Sequence, residues 1–318
     1  MTGSLRSDSY RKFGYMRENL SISGYSIWYN YQMSKNALSA DNPQEMLNAS
    51  KFWFSGFMSA EMSCSIIKAT NKNPKGFYYT VDLTVTNADR EILNEINREV
   101  MNGRGVITPV KGAYNLSARG KDKVRIALDF LEQYPILAGD LAINRIILLK
   151  TALTYLAKHT TSKFQKEKTV EMEKLRIKLK ELKFNGIVDQ KFDLLPTADK
   201  NFIGYFLAGV IDGEGSFGFK SSGLYREPFF AIAMKDRKII ELLQKFVGYG
   251  KVRFRKDGVY HLEINHRNKL KNLCEMFLNQ YPLRQTRQRK RCEFVFNSSS
   301  TTTRQSLLRI LLREHDIV

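Results

Sequence analysis

The stretch "LAGVIDGEG", Leu207–Gly215, decides the fold. It reads as the end of a helix, with Asp212 and Glu214 in the last turn. A carboxylate is the wrong charge there, because the C-terminal end of a helix dipole is already negative. The same stretch places Gly209 and Gly213 four residues apart, on one helix face. A face without side chains lets a second helix backbone come close. A diverged copy lies upstream. "FSGFMSAEM", Phe54–Met62, carries Gly56 and Ala60 at the same spacing and Glu61 at the place of Glu214.

The two stretches head an imperfect internal duplication, which sets the architecture. "FLEQYPI" (Phe130–Ile136) and "FLNQYPL" (Phe277–Leu283) close the two copies. Between these anchors each copy runs in the same order. Alternating strand sequence comes first, "YYTVDLTVT" in one and "SFGFK" with "PFFAIAMK" in the other. An amphipathic helix follows, with Ile92, Ile96 and Val100 matching Ile239, Leu243 and Val247. Asp89 and Asp236 stand at the helix starts, and Gly103 and Gly248 at the ends. A glycine-punctuated hairpin and a second helix lead into Tyr-Pro. Each half is therefore α-β-β-α-β-β-α, an α+β fold built by pseudo-twofold duplication. The economical packing sets Gly56 and Ala60 of one motif helix against Gly209 and Gly213 of the other, at the interface between the repeats.

Four segments follow: an aromatic extension over 1–50, a first repeat over 51–160, a charged helical linker over 161–196 and a second repeat over 197–318. The extension holds Tyr10, Phe13, Tyr15, Tyr25, Trp28, Tyr29 and Tyr31 with little periodicity. Asp8 and Glu18 argue against a transit peptide, and a docked or partner-bound extension is the alternative. The linker "FQKEKTVEMEKLRIKLKELKF" (Phe164–Phe184) reads as a solvated helix ended by Pro196, after which Thr197 or Asp199 caps the second motif helix.

Charge bounds the partner. Lys and Arg number 51 against 32 Asp and Glu, a formal net charge of +19 over 318 residues. Such a surplus points to a polyanion, nucleic acid before an anionic membrane, since no Lys/Arg-rich amphipathic helix stands alone. No apolar run reaches the ~18 residues of a membrane span. The 3 cysteines, Cys64, Cys274 and Cys292, lack metal spacing and give no disulfide framework.

Packing the motif helices brings Glu61 and Glu214 together at the foot of the seam. Two close carboxylates repel, and two helix ends add negative potential. Mg2+ or another divalent cation resolves that conflict with oxygen ligands. Carboxylate-held cations suit phosphodiester hydrolysis by activated water.

"LAGVIDGEG" resembles the LAGLIDADG motif of homing endonucleases and related intron maturases, and "FSGFMSAEM" resembles a diverged first copy. The order of elements and the "QYP" signatures are similar to the single-chain, two-motif members, over roughly residues 51–318. The resemblance implies a four-stranded antiparallel sheet in each half, the two sheets forming a saddle on the DNA major groove. It implies metal ligation by Glu61 and Glu214, helped by the carbonyls of Ala60 and Gly213. Strand side chains then read bases, while lysine and arginine hold phosphates. Candidate contacts in the first repeat are Lys68, Lys72, Lys75, Lys111 and Arg119. In the second they are Lys220, Tyr225, Arg226, Arg253, Arg255, Lys256 and His261. Arg284, Arg289, Lys290 and Arg291 complete a dense basic run. The family often carries a catalytic basic residue shortly after Tyr-Pro, and Arg287 stands near that place.

Two departures matter. Ser59 replaces the acid found at Asp212, and Asp140 stands where the first repeat should carry its basic residue. Two function classes stay open: a site-specific double-strand DNA endonuclease, or a non-cleaving binder, either an intron RNA maturase or a protein recruited to structural RNA. A helix-turn-helix transcription regulator lacks its signature here. The expected protein is a monomer with internal symmetry, placed in an organelle by family resemblance alone.

Overall fold

The computed structural model describes residues 43–71, 76–158, 162–185, 199–222 and 225–300. The aromatic residues of the N-terminal extension, Lys72, Lys75, Pro196 and Thr197 lie outside the described residues. A short helix α1 (Pro43–Ser50) precedes the first motif helix α2 (Phe52–Glu61). The first repeat continues with β1 (Met62–Asn71), β2 (Gly76–Asn87), α3 (Arg90–Met101), β3 (Val106–Val110), β4 (Ala113–Arg119), α4 (Lys121–Gln133) and α5 (Asp140–Ala157). Helix α6 (Ser162–Asn185) bridges to the second repeat. That repeat holds α7 (Lys200–Glu214), β5 (Gly215–Ser222), β6 (Tyr225–Met234), α8 (Arg237–Val247), β7 (Lys251–Phe254) and β8 (Tyr260–Ile264). It ends with α9 (Arg267–Glu275), prolonged by a π-helical turn Met276–Gln280, and α10 (Thr286–Ser300).

The duplication is visible in the strand order. Both sheets have four antiparallel strands, ordered β1-β2-β4-β3 and β5-β6-β8-β7. Each repeat also has one helix more than the sequence pattern predicts, because α5 and α10 follow the Tyr-Pro turns. In α5 the reason is apolar content: Leu141, Ala142, Ile146, Leu149, Ala152 and Leu153 are buried.

The motif helices form the centre. Both are apolar around their full circumference, the pattern of a helix enclosed by protein. In α2 every residue from Phe52 to Ser59 is buried, and in α7 every residue from Gly204 to Asp212. They touch through backbone. A Cβ on Gly56 would stand 1.8 Å from the Phe206 carbonyl oxygen, and one on Gly209 would stand 1.9 Å from that of Trp53. The contact is reciprocal: each glycine meets the carbonyl lying three residues before the other glycine, as a twofold relation requires.

Two expectations change. The charged linker is a packed helix, not a solvated one. Met172, Leu175 and Leu179 form a buried stripe on α6, which lies against α5 and the edge strand β1. The Tyr79 hydroxyl donates to Glu173 Oε2 at 2.9 Å across that contact. The helix-start aspartates also divide their labour. Asp89 caps its own helix α3, accepting from the N–H groups of Glu91 and Ile92. Asp236 accepts instead from the N–H groups of Asp140 (3.1 Å) and Leu141 (2.9 Å), capping α5 of the other repeat. Asp199 caps α7 by accepting from the N–H of Asn201.

Gly56→Ala and Gly209→Ala should each lower stability by more than about 3 kcal/mol, because the methyl meets backbone that cannot yield; chemical denaturation measures this. Leu175→Ala should cost about 2–4 kcal/mol. Lys178→Ala on the outer side of the same helix should change stability by less than about 0.5 kcal/mol. Equal, small effects of the two α6 changes would restore the solvated linker.

Candidate active site and nucleic-acid face

The close approach of α2 and α7 fixes where their last residues fall. Gly213 lies against Ala60 and Glu61: a Cβ there would stand 2.7 Å from Ala60 Cβ and 3.2 Å from Glu61 Cγ. Glu61 and Glu214 are therefore neighbours at the seam, and Glu61 feels the charge of Glu214. The Glu61 carboxyl is pushed up to about 7, first by burial and then by Glu214, with the hydrogen bond from Asn87 opposing. Glu214 is raised by burial as well, although the residue as a whole is exposed to solvent.

The third acid differs. Asp212 is 1% exposed and accepts from Trp53 Nε1 at 2.8 Å and the Arg284 N–H at 2.7 Å. Burial pushes its carboxyl up to about 7. It ties α7 to α2 and to the turn after Tyr281-Pro282, which is a structural task. Ser59, its counterpart, donates to the Gly56 carbonyl at 2.7 Å inside its own helix.

The surroundings of the two glutamates are chemically unlike. Beside Glu61 stands a chain of amides. Asn87 Nδ2 donates to Glu61 Oε1 at 3.2 Å, and Gln285 Nε2 donates to Asn87 Oδ1 at 2.9 Å. Beside Glu214 is a cavity of about 250 Å³ whose wall includes Ser59, Arg145, Lys235 and Asp236. None of Asn87, Gln285, Arg145 and Lys235 was singled out by the sequence. Asn87 and Lys235 could have been, since they lie two residues and one residue before the aspartate that stands at the next helix start. Arg145 belongs to α5, a helix the pattern does not predict.

The sheets sort the basic candidates by strand register. On the second sheet Lys220, Arg253 and His261 share the open face with Glu263 and Lys251. Lys220 pairs with Glu263 there. Arg226 falls on the opposite parity, at the outer end of β6 near α10, and the side chain of Tyr225 is not described. On the first sheet Arg119 lies on the open face, ion-paired to Asp82 at 3.3 Å. Lys68 shares the core-facing parity with Ile66 and Val81 and stands 4.1 Å over the Phe77 ring, away from the open face. That open face otherwise carries mostly neutral polar groups such as Ser65, Thr80, Thr84, Asn115 and Ser117, with apolar Ile67, Val106 and Val110 among them. Strand alternation would have found them; a search for lysine and arginine passes over them.

Arg284, expected on a phosphate, is engaged inside the protein. Its guanidinium donates to Glu95 and the Ser50 carbonyl and stacks on Trp53 and Phe54. Arg287, Arg289, Lys290 and Arg291 are exposed on α10, with Arg289 paired to Glu293. Arg255 pairs with Asp257, while Lys111 and Lys256 are exposed near hairpin turns. Asp140 is ion-paired with Lys238 of the other repeat at 3.0 Å.

A family model described as LAGLIDADG endonuclease matches residues 207–295. The probable intron-encoded DNA endonuclease 1 of Mycosarcoma maydis is 23% identical over 232 residues, spanning 65% of this chain and 84% of its own. Among solved structures, the LAGLIDADG homing endonuclease I-GzeII in complex with its DNA target aligns with a TM-score of 0.67 at 17% identity. It covers 82% of this chain and 95% of that one. I-SmaMI bound to an uncleaved DNA target in the presence of calcium ions aligns with a TM-score of 0.66 at 17% identity, covering 82% and 96%.

Glu61 titrates higher in the folded protein than its ordinary 4.5, so its share of stability is full below 4.5 and is lost as pH rises through about 7. In metal-free protein at pH 8, Glu61→Gln should therefore melt about 2–4 °C above the wild type. The gain should vanish at pH 4.5. An equal gain at both pH values would show that the buried carboxylate is not its source.

Proposed function

We propose that this chain, whose second repeat belongs to the LAGLIDADG endonuclease family and whose fold is that of its homing endonucleases, is a site-specific double-strand DNA endonuclease. One observation carries the reading: two glutamates at equivalent repeat positions are forced together at a helix seam, where nothing structural rewards them. At the preceding equivalent positions Ser59 and the Oδ2 oxygen of Asp212 are held by hydrogen bonds inside the core. Glu61 and Glu214 lie at the foot of the seam, half-buried and exposed respectively.

The donor set fits a hard divalent cation such as Mg2+. The two carboxylates are close enough to raise the Glu61 titration, and such a cation relieves that repulsion. No group of three or more His, Cys, Asp or Glu gathers among the described residues. The carbonyls of Ala60 and Gly213 and oxygens of the bound phosphate are the natural remaining donors. When bound, the cation supplies Lewis acidity to a phosphoryl oxygen and lowers the pKa of water.

The chain's own groups do the positioning. The Asn87–Gln285 amides orient the Glu61 carboxylate, and the packed helix ends hold both acids at fixed separation. Hydroxyl and amide side chains on the first open sheet face, and Lys220, Arg253 and His261 on the second, are placed to contact bases and phosphates. Arg287 on α10 is the candidate for holding charge at a scissile phosphate. The duplication supplies both halves of a long target from one chain, so a monomer suffices. The intron-encoded relative supports an organellar gene.

A second reading keeps the scaffold without the cut, as an intron RNA maturase or a structural RNA binder. The observation favouring it is Asp140, an acid locked to Lys238 where a basic residue was expected.

With Mg2+ the protein should linearise a plasmid bearing its target, while Glu61→Gln and Glu214→Gln bind it and leave it intact. At pH 8 calcium should raise the melting temperature of the wild type, and either glutamine variant should lose that rise. Specific binding with Mg2+ and intact glutamates, yet no cutting, would move the protein to the second reading. In both cases affinity should fall steeply with salt, with a log–log slope of about −0.9 per phosphate neutralised on duplex DNA.

A further inference from the structure

We propose that Arg145 binds the scissile phosphate presented at Glu214, filling from α5 the cationic role for which Asp140 has the wrong charge. The inference rests on the nucleic-acid reading above and adds a residue to it.

Three observations carry it. First, Arg145 is half-buried as a residue, and its guanidinium makes one hydrogen bond, from Nη1 to the Met62 carbonyl at 3.3 Å. No carboxylate among the described residues lies within ion-pair reach of it. A guanidinium has five donors in a planar fork, matched to phosphate oxygens. Partial burial without an anion costs free energy unless an anion arrives.

Second, Arg145 lines the cavity of about 250 Å³ at Glu214. The other carboxylate in that wall, Asp236, is occupied by the N–H groups of Asp140 and Leu141. The cavity therefore sets Arg145 beside two candidate metal ligands, Glu214 and Ala60. A phosphate fits that mixture of charges.

Third, the second repeat shows that the charge is not needed for the fold. Met62 follows Glu61 directly, as Gly215 follows Glu214. The Gly215 carbonyl is served from α10 by the neutral amide of Gln288, which also donates to the Ile211 carbonyl at 3.4 Å. The structural task at these equivalent carbonyls needs one N–H donor. Arg145 performs it with a cation to spare.

The two half-sites are thereby unequal. Glu214 works beside Arg145 and Lys235, and Glu61 beside the amides of Asn87 and Gln285. The strand presented at Glu214 should be cut first, leaving a nicked intermediate.

The test uses the full-length protein and a duplex that it selects from a random-sequence pool in calcium. Arg145→Gln keeps a donor for Met62, as Gln288 does for Gly215, and should melt within a few degrees of the wild type. It should bind the duplex about tenfold more weakly. On a duplex with one neutral methylphosphonate at the central phosphate facing Glu214, the wild type should lose the same factor and Arg145→Gln nothing further. Arg145→Lys should keep most of the affinity. With Mg2+ and separately labelled strands, Arg145→Gln should slow the faster cut and leave the other near its wild-type rate.

Unchanged affinity, or an equal loss on phosphate and methylphosphonate duplexes at every central position, would overturn the assignment. If the wild type binds but does not cut, the endonuclease reading fails while the methylphosphonate comparison still decides Arg145. If the wild type retains no duplex, both fall.

Discussion

The Phe206 carbonyl rests on Gly56 and the Trp53 carbonyl rests on Gly209, and these reciprocal contacts set the geometry of the rest. Backbone-to-backbone contact leaves no side chain that could relax. The separation and rotation of α2 and α7 are therefore fixed to within tenths of an ångström, as close-packed interiors demand. Both helices are enclosed by aromatic and aliphatic side chains, so the seam cannot be pulled apart without exposing much of the core. The two sheets start at the ends of these helices and inherit their pseudo-twofold relation.

That constraint creates an electrostatic cost at the foot of the seam. Burial and the charge of Glu214 disfavour the charged form of Glu61, and burial disfavours that of Glu214. A fold selected for stability alone would place neutral side chains there. Asp212 is a useful contrast, since it is more deeply buried than either glutamate and still finds two good donors, from Trp53 and Arg284. Local unfavourable charge without a structural return is the physical mark of a site that meets a ligand.

The duplication has been kept in the backbone and has drifted in the chemistry. Strand order, motif helices and the Tyr-Pro turns repeat. The caps do not, since Asp89 serves its own helix and Asp236 serves the other repeat. The open face of the first sheet carries mostly hydroxyls and amides, whereas the second carries lysine, arginine and histidine. A single chain is free to diverge in this way, because no symmetry operator obliges its halves to match.

Much of this was legible in the sequence. The paired small residues, the two glutamates and the repeated order of strands and helices gave the α+β duplication and its seam, because each rests on spacing along one chain segment. The glutamate pair could be inferred because the two motif helices are equivalent and a glycine face has one good use. What the sequence could not show depends on side chains meeting across elements. The charged linker hides its buried stripe of Met172, Leu175 and Leu179 among lysines and glutamates. Arg284 looks like a phosphate ligand until Glu95, Trp53 and Phe54 are seen around it. Lys68 looks like a groove contact until strand register turns it to the other face of the sheet. Sequence order determined that two acids meet; only tertiary packing decided that one meets amides and the other a cavity that Arg145 lines, because those neighbours come from elements far apart in the chain.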